Sequence, residues 1–334
     1  MTGLLIFAAV VVALVLAAWL AFRLSPWPMV LVIRHLPALS GEGINERLQP
    51  AVPSGIVSVL DERYDPADRD AYLDVFRPDS ATGPLPTIVW VHGGAFIAGT
   101  RKDLRNYLRI LAGRGFTTVG VEYSHAPERR YPTPVLQVAA ALAYLRRNAA
   151  RLGVDPDRIV LAGDSAGAQI AGQIALALCD AAFAAAARLP LVAPGVRIRA
   201  TVLACGPYDL NLPDYQGEYG RFLRAIMWAY TGTRDFQNDP RFAFASLPQH
   251  VSEHFPPTFL TVGNGDPLRR HSVALAEALR ARGVTVDALF YPDDHSPILD
   301  HEYQIDLNTD AGAAALERIV AHVDTYTRDR RPAR

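Results

Sequence analysis

Short apolar runs recur along most of this chain, separated by segments with a different period. Several of these runs are continuously apolar rather than alternating, which is typical of central parallel strands covered on both faces. Each is short enough to be a strand and is bounded by turn-forming residues. The predicted strands are 71–76, 87–92, 117–123, 158–163, 200–205, 258–262 and 284–291.

The intervening segments have the period of helices. In residues 134–152 the apolar positions Val135, Val138, Leu142 and Leu145 recur at helical spacing. Thr133 is expected to cap this helix and Gly153 to end it, and a final helix is predicted over residues 310–326. Alternating strands and helices over this length predict an α/β protein with a doubly wound, mostly parallel sheet.

Two segments break the alternation. Residues 36–61 are rich in glycine and proline, and residues 210–255 contain an amphipathic, aromatic stretch at 222–230. Such excursions are either plain surface segments or lids that carry substrate-contacting side chains. We predict helical lid elements at approximately 35–60 and 210–255.

The N-terminus has a pattern of its own. Residues 2–22 carry no charge, and the run from Leu4 to Phe22 is apolar throughout. As a helix rising ~1.5 Å per residue, this run matches the ~30 Å hydrocarbon layer. A cleaved signal peptide is the rival interpretation, but a basic n-region and a clean A-x-A site are missing. We therefore predict a transmembrane anchor with its juxtamembrane segment at 1–34, and a globular domain at 35–334.

The flanks of this segment indicate an orientation. The nearest cations, Arg23 and Arg34, follow it, which by the positive-inside tendency places the globular domain in the cytoplasm. Trp19 and Trp27 are placed where interfacial aromatic side chains lie. The prediction is a single-pass membrane protein, in which residues 24–33 lie along the membrane or pack on the domain.

Composition excludes some function classes. The 334 residues have a formal net charge of −1 and 50% hydrophobic content, so the chain can bury a large core but has no electrostatic footprint for nucleic acid. Its cysteines, Cys179 and Cys205, have neither C-x-x-C neighbours nor zinc-ligand spacing. We expect two buried structural thiols.

The sequence Gly163-Asp164-Ser165-Ala166-Gly167 reads as G-x-S-x-G between a predicted strand and a predicted helix. A serine in such a turn is held on a strained backbone with its hydroxyl exposed above the sheet. Glycines flank it because side chains there would collide with the neighbouring strand and helix. Ser165 is therefore the candidate nucleophile.

A serine hydroxyl needs a base to take its proton and a carboxylate to orient that base. Asp266, just past a predicted strand, is the candidate acid, because ligand sites gather at the carboxyl ends of such strands. His295, just past the last strand, is the preferred base, with His301 as its competitor. His271 and His322 are expected on helix surfaces.

The negative charge that develops on a substrate oxygen needs donors. His92-Gly93-Gly94-Ala95-Phe96 follows a strong apolar strand, and glycines there leave backbone N–H groups accessible. We predict an oxyanion hole formed by the amides of Gly93, Gly94 and Ala166.

Together these motifs resemble the hormone-sensitive-lipase-like esterases and the neighbouring acetyl esterase branch of the α/β-hydrolase fold, over roughly residues 60–327. Residues 92–96 look like that family's H-G-G-G-[FWY], residues 122–128 like its D-Y-R-L-A-P-E, and 163–167 match its G-D-S-A-G. Asp266-Pro267-Leu268 and the Tyr-Pro-x-x-His stretch ending at His295 match its later triad positions. The chain departs from the pattern at Ala95, at Ser124-His125, and at the Ser-Pro that follows His295.

The resemblance implies ester hydrolysis through an acyl-enzyme, without a metal or an organic cofactor. We predict a serine carboxylesterase acting on a small-molecule ester, with short to medium acyl chains. A lipase, deacetylase or amidase on the same triad, or a non-catalytic binding protein on the same fold, are the alternatives. The alcohol group and the oligomeric state are left open.

Overall fold

The computed structural model describes residues 2–35, 42–189, 195–212 and 215–328. Its helices are α1 (Thr2–Leu24), α2 (Trp27–Arg34), α3 (Glu42–Leu48), α4 (Arg105–Ala112), α5 (Thr133–Arg147), α6 (Ala149–Leu152), α7 (Ser165–Cys179), α8 (Ala181–Ala186), α9 (Gly217–Thr231), α10 (Arg269–Ala281) and α11 (Asp310–Thr327). Its strands are β1 (Ile56–Arg63), β2 (Tyr72–Pro78), β3 (Leu85–Val91), β4 (Thr117–Val121), β5 (Val154–Asp164), β6 (Ile198–Ala204), β7 (Thr258–Val262) and β8 (Val286–Phe290). Short 3₁₀ turns lie between these elements.

The strands form one sheet in the order β1-β2-β4-β3-β5-β6-β7-β8. β1 and β2 run antiparallel to their neighbours, and the pairs from β4 to β8 are parallel. Large apolar clusters cover both faces, one containing α5 and α7 side chains and the other α4 and α11 side chains. The predicted doubly wound, mostly parallel sheet is confirmed.

The sheet brings the functional loops to one edge. In the central pair β3 and β5, Val91 lies opposite Gly163, so the residues that follow each strand meet at the carboxyl edge. β7 is parallel to them and ends at Val262, which delivers the segment containing Asp266 to the same edge. Ligand sites of open α/β sheets form at this edge.

The glycines that flank Ser165 are required by close backbone contacts. A Cβ on Gly167 would lie 2.1 Å from the carbonyl oxygen of Val91, and a Cβ on Gly163 would lie 2.6 Å from the carbonyl carbon of Gly167. α7 therefore starts directly against the end of β3, as the sequence predicts.

Each strand predicted from the sequence is present, with shifted ends, but β1 was missed. It lies at the sheet edge, antiparallel to β2, and none of its residues is fully buried. An edge strand of this kind lacks the continuous apolar run that marked the central strands. Part of the segment predicted as a lid at 35–60 is thus a strand.

The predicted helices are present, with two differences: the helix predicted over 134–152 is divided at Asn148 into α5 and α6, and its cap is displaced. Thr133 is the first residue of α5, and the N-cap position belongs to Pro132. Gly153 adopts the left-handed conformation after α6, as expected of a helix end. The predicted lid positions 36–41 and 213–214 lie outside the described residues.

The segment after α1 packs on the domain. Val30 and Ile33 of α2 are buried in the main apolar cluster, and α2 contacts α9. The Arg34 guanidinium donates to the carbonyl oxygens of Ile97 and Ala126 and forms a two-bond ion pair with Glu128. Residues 24–33 were predicted either to lie along a membrane or to pack on the domain. The structure shows that α2, within this segment, packs on the domain.

Candidate active site

Ser165 lies at the start of α7 on a strained turn. Its φ is +49°, in the left-handed region that non-glycine residues rarely adopt. The residue is 8% exposed and lines the main cavity at the carboxyl edge of the sheet. The strain holds the hydroxyl above the sheet, where a substrate can reach it.

A histidine and an aspartate complete a hydrogen-bonded relay with this serine. His301 Nε2 lies 2.9 Å from Ser165 Oγ, and His301 Nδ1 lies 2.8 Å from Asp266 Oδ2. Because an ionised carboxylate only accepts, Nδ1 carries the proton and Nε2 accepts from the serine hydroxyl. This is the geometry of a nucleophile, a base and an orienting acid.

The structure does not bring His295, the base preferred from the sequence, to Ser165. Its ring packs on Tyr291 at a centroid distance of 4.5 Å, and its carbonyl oxygen accepts from the Asn264 side chain. His301, the competitor named from the sequence, occupies the position beside Ser165.

The loop after β8 explains why His301, and not His295, lies beside Ser165. Asn264 donates to the carbonyl oxygen of His295 and accepts from the amide of Leu299, so it holds both ends of the intervening turn. Leu299 also packs on Gly263, where a Cβ would lie 2.1 Å from the Leu299 carbonyl oxygen. The chain passes beside Ser165 only after this turn, at His301. No local pattern in the sequence shows which of the two histidines reaches the serine.

The relay is buried at its acid end only, because the His301 side chain is 34% exposed. The Asp266 side chain is fully buried, and its second oxygen accepts from the amide of Leu268 at 2.7 Å. Burial alone would lower the pKa of His301, but the hydrogen bond to the Asp266 carboxylate and the charge of Glu302 raise that pKa well above the ordinary value. We therefore expect His301 to lose its proton, and to act as a base, only above its ordinary pKa near 6.5.

The predicted oxyanion hole needs one correction. The amide of Gly93 donates to Asp164 Oδ2 at 2.8 Å, so this N–H is already taken. Gly94 and Ala166 line the cavity beside Ser165. Ala166 belongs to the first turn of α7, whose amides have no acceptor within the helix. The geometry leaves Gly94 and Ala166 as the candidate donors, with Gly93 as a residue that binds Asp164.

A buried ion pair supports the loop that carries these glycines. His92 Nδ1 faces the carbonyl oxygen of Gly93 at 2.7 Å, and its Nε2 faces Glu122 Oε1 at 2.9 Å. Burial alone would lower the pKa of His92, but the charge and hydrogen bond of Glu122 raise it overall. The Tyr123 hydroxyl donates to the carbonyl oxygen of His92, and Arg101 pairs with Glu122. This network fixes the backbone immediately before Gly94.

The cavity above Ser165 has a volume of about 340 Å³. One wall comes from α9, through Phe222, Leu223, Ile226 and Met227, and Ile44 of α3 contributes from another side. Both segments fall within the regions predicted as lid elements. The wall is mainly apolar, as a pocket for the acyl or alcohol part of an ester requires.

Two clusters of metal-ligating side chains occur among the described residues. In each of the sets His92–Glu122–His125 and Cys205–Asp266–His301, the donor atoms lie within 4.8 Å of one another. Their main donors already bind one another or Ser165, through the His92–Glu122 and His301–Asp266 pairs. The predicted absence of a metal or organic cofactor stays a prediction.

Two expectations about other side chains were wrong. His271 and His322, expected on helix surfaces, are 3% and 4% exposed. His271 Nδ1 accepts from the amide of Asp209. Of the cysteines, Cys205 is fully buried as expected, whereas Cys179 is only partly so.

Comparison with known proteins gives the family of this arrangement. A family model described as the alpha/beta hydrolase fold matches residues 88–296. Esterase LipQ of Mycobacterium tuberculosis is 31% identical over 70% of this chain, and carboxylesterase NlhH of the same organism is 29% identical over 70%. The alignments span 55% of LipQ and 71% of NlhH, so this chain corresponds to little more than half of LipQ.

Solved structures agree on the fold. Esterase B from Lactobacillus rhamnosis superposes with a TM-score of 0.73 at 21% identity, covering 86% of this chain and 96% of that chain. A bacterial heroin esterase superposes with a TM-score of 0.68 at 22% identity, covering 90% and 98%. The α/β-hydrolase fold predicted from the sequence is confirmed, and the two curated relatives named above are esterases, in agreement with the predicted carboxylesterase.

Replacing His301 with Ala should lower kcat/KM for p-nitrophenyl butyrate by at least about 10³-fold, because Ser165 loses its base. Replacing His295 with Ala should change it by no more than roughly twofold, as for an ordinary surface substitution. Steady-state kinetics of both variants, with thermal unfolding to confirm folding, make the comparison. Loss of activity in the His295 variant alone would reverse the assignment.

Proposed function

We propose, because this chain belongs to the α/β-hydrolase family, that it hydrolyses carboxylic esters through an acyl-enzyme on Ser165. The observation that carries the proposal is the continuous relay from Asp266 through His301 to the serine hydroxyl, beside the apolar cavity.

In acylation, His301 Nε2 takes the hydroxyl proton as Ser165 Oγ attacks the ester carbonyl carbon. The carbonyl oxygen becomes an oxyanion, which accepts from the amides of Gly94 and Ala166. Asp266 keeps the imidazole in the required tautomer and stabilises the imidazolium. His301 then gives its proton to the alcohol oxygen, the C–O bond breaks, and the alcohol leaves.

Deacylation repeats these roles with water. His301 takes a proton from a water molecule, whose oxygen attacks the acyl-enzyme carbonyl. The second oxyanion collapses, His301 returns the proton to Ser165 Oγ, and the carboxylic acid is released. Both half-reactions need the His301 imidazole in the same position. Its two ring nitrogens, hydrogen-bonded to Asp266 and Ser165, hold it there.

The direct test replaces Ser165 with Ala. This substitution should abolish the hydrolysis of p-nitrophenyl butyrate and labelling by a fluorophosphonate probe, because only an activated serine reacts with the probe. The thermal unfolding midpoint should stay close to that of the parent protein. Retained turnover in the folded variant would refute Ser165 as nucleophile, whereas a parent protein that neither labels nor turns over would favour a non-catalytic binding protein.

We also propose that the acyl chains are short to medium in length. Ligand cavities commonly measure about 300–1,000 Å³, and the cavity of about 340 Å³ is near the lower end of that range. Its apolar wall on α9 favours an alkyl chain over a polar group. This argument favours a carboxylesterase over a lipase for long-chain esters.

A panel of p-nitrophenyl esters tests this assignment. We expect kcat/KM to be greatest between butyrate and octanoate and to fall about tenfold or more at palmitate. Leu223→Trp, which narrows the α9 wall, should reduce activity on octanoate more than on acetate. A maximum at palmitate would identify a lipase, and faster cleavage of the matching anilide than of the ester would identify an amidase.

We further propose that α1 is a retained single-pass membrane anchor, with the catalytic domain in the cytoplasm. Among the described residues, α1 is the one helix long and apolar enough to span a bilayer, and none of its 23 residues is buried by the domain. A signal sequence passes the same test. The end of α1 argues for retention, because the Arg234 guanidinium donates to the carbonyl oxygen of Arg23.

The short connection to α2 supports the same proposal. Only Ser25 and Pro26 separate α1 from α2, and α2 is tied to the domain through Arg34 and two buried side chains. A cut between α1 and α2 would remove Arg23, whose carbonyl oxygen accepts from Arg234, and a cut after α2 would also remove Arg34 and the two buried side chains. An anchor joined in this way would hold α9, and with it the cavity wall, close to the membrane.

Full-length protein expressed in bacterial cells should remain in the membrane pellet after alkaline carbonate extraction, with an intact mass that includes residues 1–34. The double substitution Val11→Arg and Leu14→Arg should release it, because each arginine at a helix centre costs about 2.5–3.5 kcal/mol of insertion free energy. Val11→Leu with Leu14→Val is the matched control. A mature mass lacking α1 would show that this segment is a cleaved signal.

A further inference from the structure

A carboxyl pair outside the relay lies next to the nucleophile. Asp164 directly precedes Ser165, and Glu302 directly follows His301. A Cβ built on Gly93 would lie 2.5 Å from Asp164 Oδ2 and 2.6 Å from Glu302 Oε1. Both acids therefore lie against the loop that carries Gly93 and Gly94, which we call the oxyanion loop. Glu302 reaches this place from a left-handed backbone, with φ of +61°.

Asp164 is almost completely buried and has no cationic hydrogen-bond partner among the described residues. Its Oδ1 accepts from Trp90 Nε1 at 2.6 Å, and its Oδ2 accepts from the Gly93 amide at 2.8 Å. Asp164 Oδ2 and Glu302 Oε1 both lie within 2.6 Å of one point, the position of a Cβ on Gly93, so these two oxygens are at most about 5 Å apart. Two carboxylates this close in a buried site repel each other, which favours keeping a proton on one of them.

The surroundings favour keeping that proton near neutral pH. Burial, followed by the charge of Glu302, raises the pKa of Asp164 to about 8, and His92 opposes this rise. The titratable groups that act on the pair are His92, Tyr107, Tyr123, Cys205, Tyr208 and His301. The pKa values of the three tyrosines are raised and that of Cys205 is about 11, so only the two histidines exchange charge with the pair near neutrality.

We propose that Asp164 and Glu302 hold one shared proton, and that Glu302 thereby positions the Gly93–Gly94 loop for catalysis. Glu302 is a positioning residue, since it acts through Asp164 and the Gly93 amide rather than on the reacting atoms. The inference rests on the proposed function, because the loop matters only where an oxyanion forms.

Loss of the shared proton places two like charges in contact beside the oxyanion site. Their repulsion disturbs the oxygen to which the Gly93 amide is bound, and their field opposes the charge that forms on the substrate. Glu302 Oε1 also lies 3.8 Å from His301 Nε2 and contributes to the raised pKa of that imidazole. Glu302 therefore sets both the acidic and the alkaline limits of activity.

The test is the pH profile of kcat/KM for p-nitrophenyl butyrate in the full-length parent and in Glu302→Gln. In the parent, activity should fall as the pH rises through about 8, the pKa raised at Asp164. The glutamine amide donates to Asp164 at every pH, so the alkaline limb should move up by about one pH unit or more. The acidic limb should move down, because His301 loses a neighbouring negative charge.

Two further variants separate positioning from general charge effects. Glu302→Ala removes the carboxyl that shares the proton with Asp164 and should lower kcat by roughly tenfold at neutral pH, and Glu302→Gln should restore most of that loss. Asp300→Asn removes an exposed negative charge one residue before His301 and should leave the alkaline limb in place. An unchanged alkaline limb in Glu302→Gln, or an equal shift in Asp300→Asn, would overturn the inference.

An infrared pH titration of the parent protein gives a readout that needs no active variant. A protonated-carboxyl band should persist at about pH 7, where ordinary aspartates and glutamates are ionised, and should disappear as the pH rises further. Its absence at that pH would also overturn the inference. Failure of the proposed function looks different: the parent would then show no Ser165-dependent ester hydrolysis at any pH.

Discussion

The contact between the first turn of α7 and the end of β3 is the constraint on which the site depends. Gly167 lies so close to the Val91 carbonyl oxygen that any side chain would force the helix away from the sheet. The close approach fixes the strained turn at Ser165 and brings the oxyanion loop, which starts one residue after β3, beside the nucleophile. A serine in an ordinary turn would have neither the exposed hydroxyl nor the neighbouring amides.

Around that turn, the parallel sheet provides the remaining groups. β5 leads to Ser165 at the start of α7, β7 leads to Asp266, and the segment beyond β8 returns to supply His301. None of these side chains is near another in sequence. Their meeting follows from parallel strands that all end at one edge, because each strand releases its chain at the same level above the sheet.

The same edge brings together charges of one sign. Three acids, Asp164, Asp266 and Glu302, lie close to Ser165 and His301, and each has different contacts. Asp266 accepts from an imidazole and an amide, Asp164 accepts from an indole and an amide, and Glu302 Oε1 lies 3.8 Å from His301 Nε2. The two buried acids, Asp164 and Asp266, are thus each satisfied by two hydrogen-bond donors.

The sequence alone determined the fold class and the central strands, and it identified the candidate nucleophile and the candidate acid, because each is encoded locally: by continuous apolar runs, by glycines around Ser165, and by the end of a strand before Asp266. The tertiary structure decided what depends on distant contacts. β1 is an edge strand without an apolar run, so only its pairing with β2 reveals it. The choice of His301 over His295 depends on Asn264, which holds the intervening turn from another loop. The Gly93 amide is taken by Asp164 across neighbouring strands, a contact that no pattern within one segment can express.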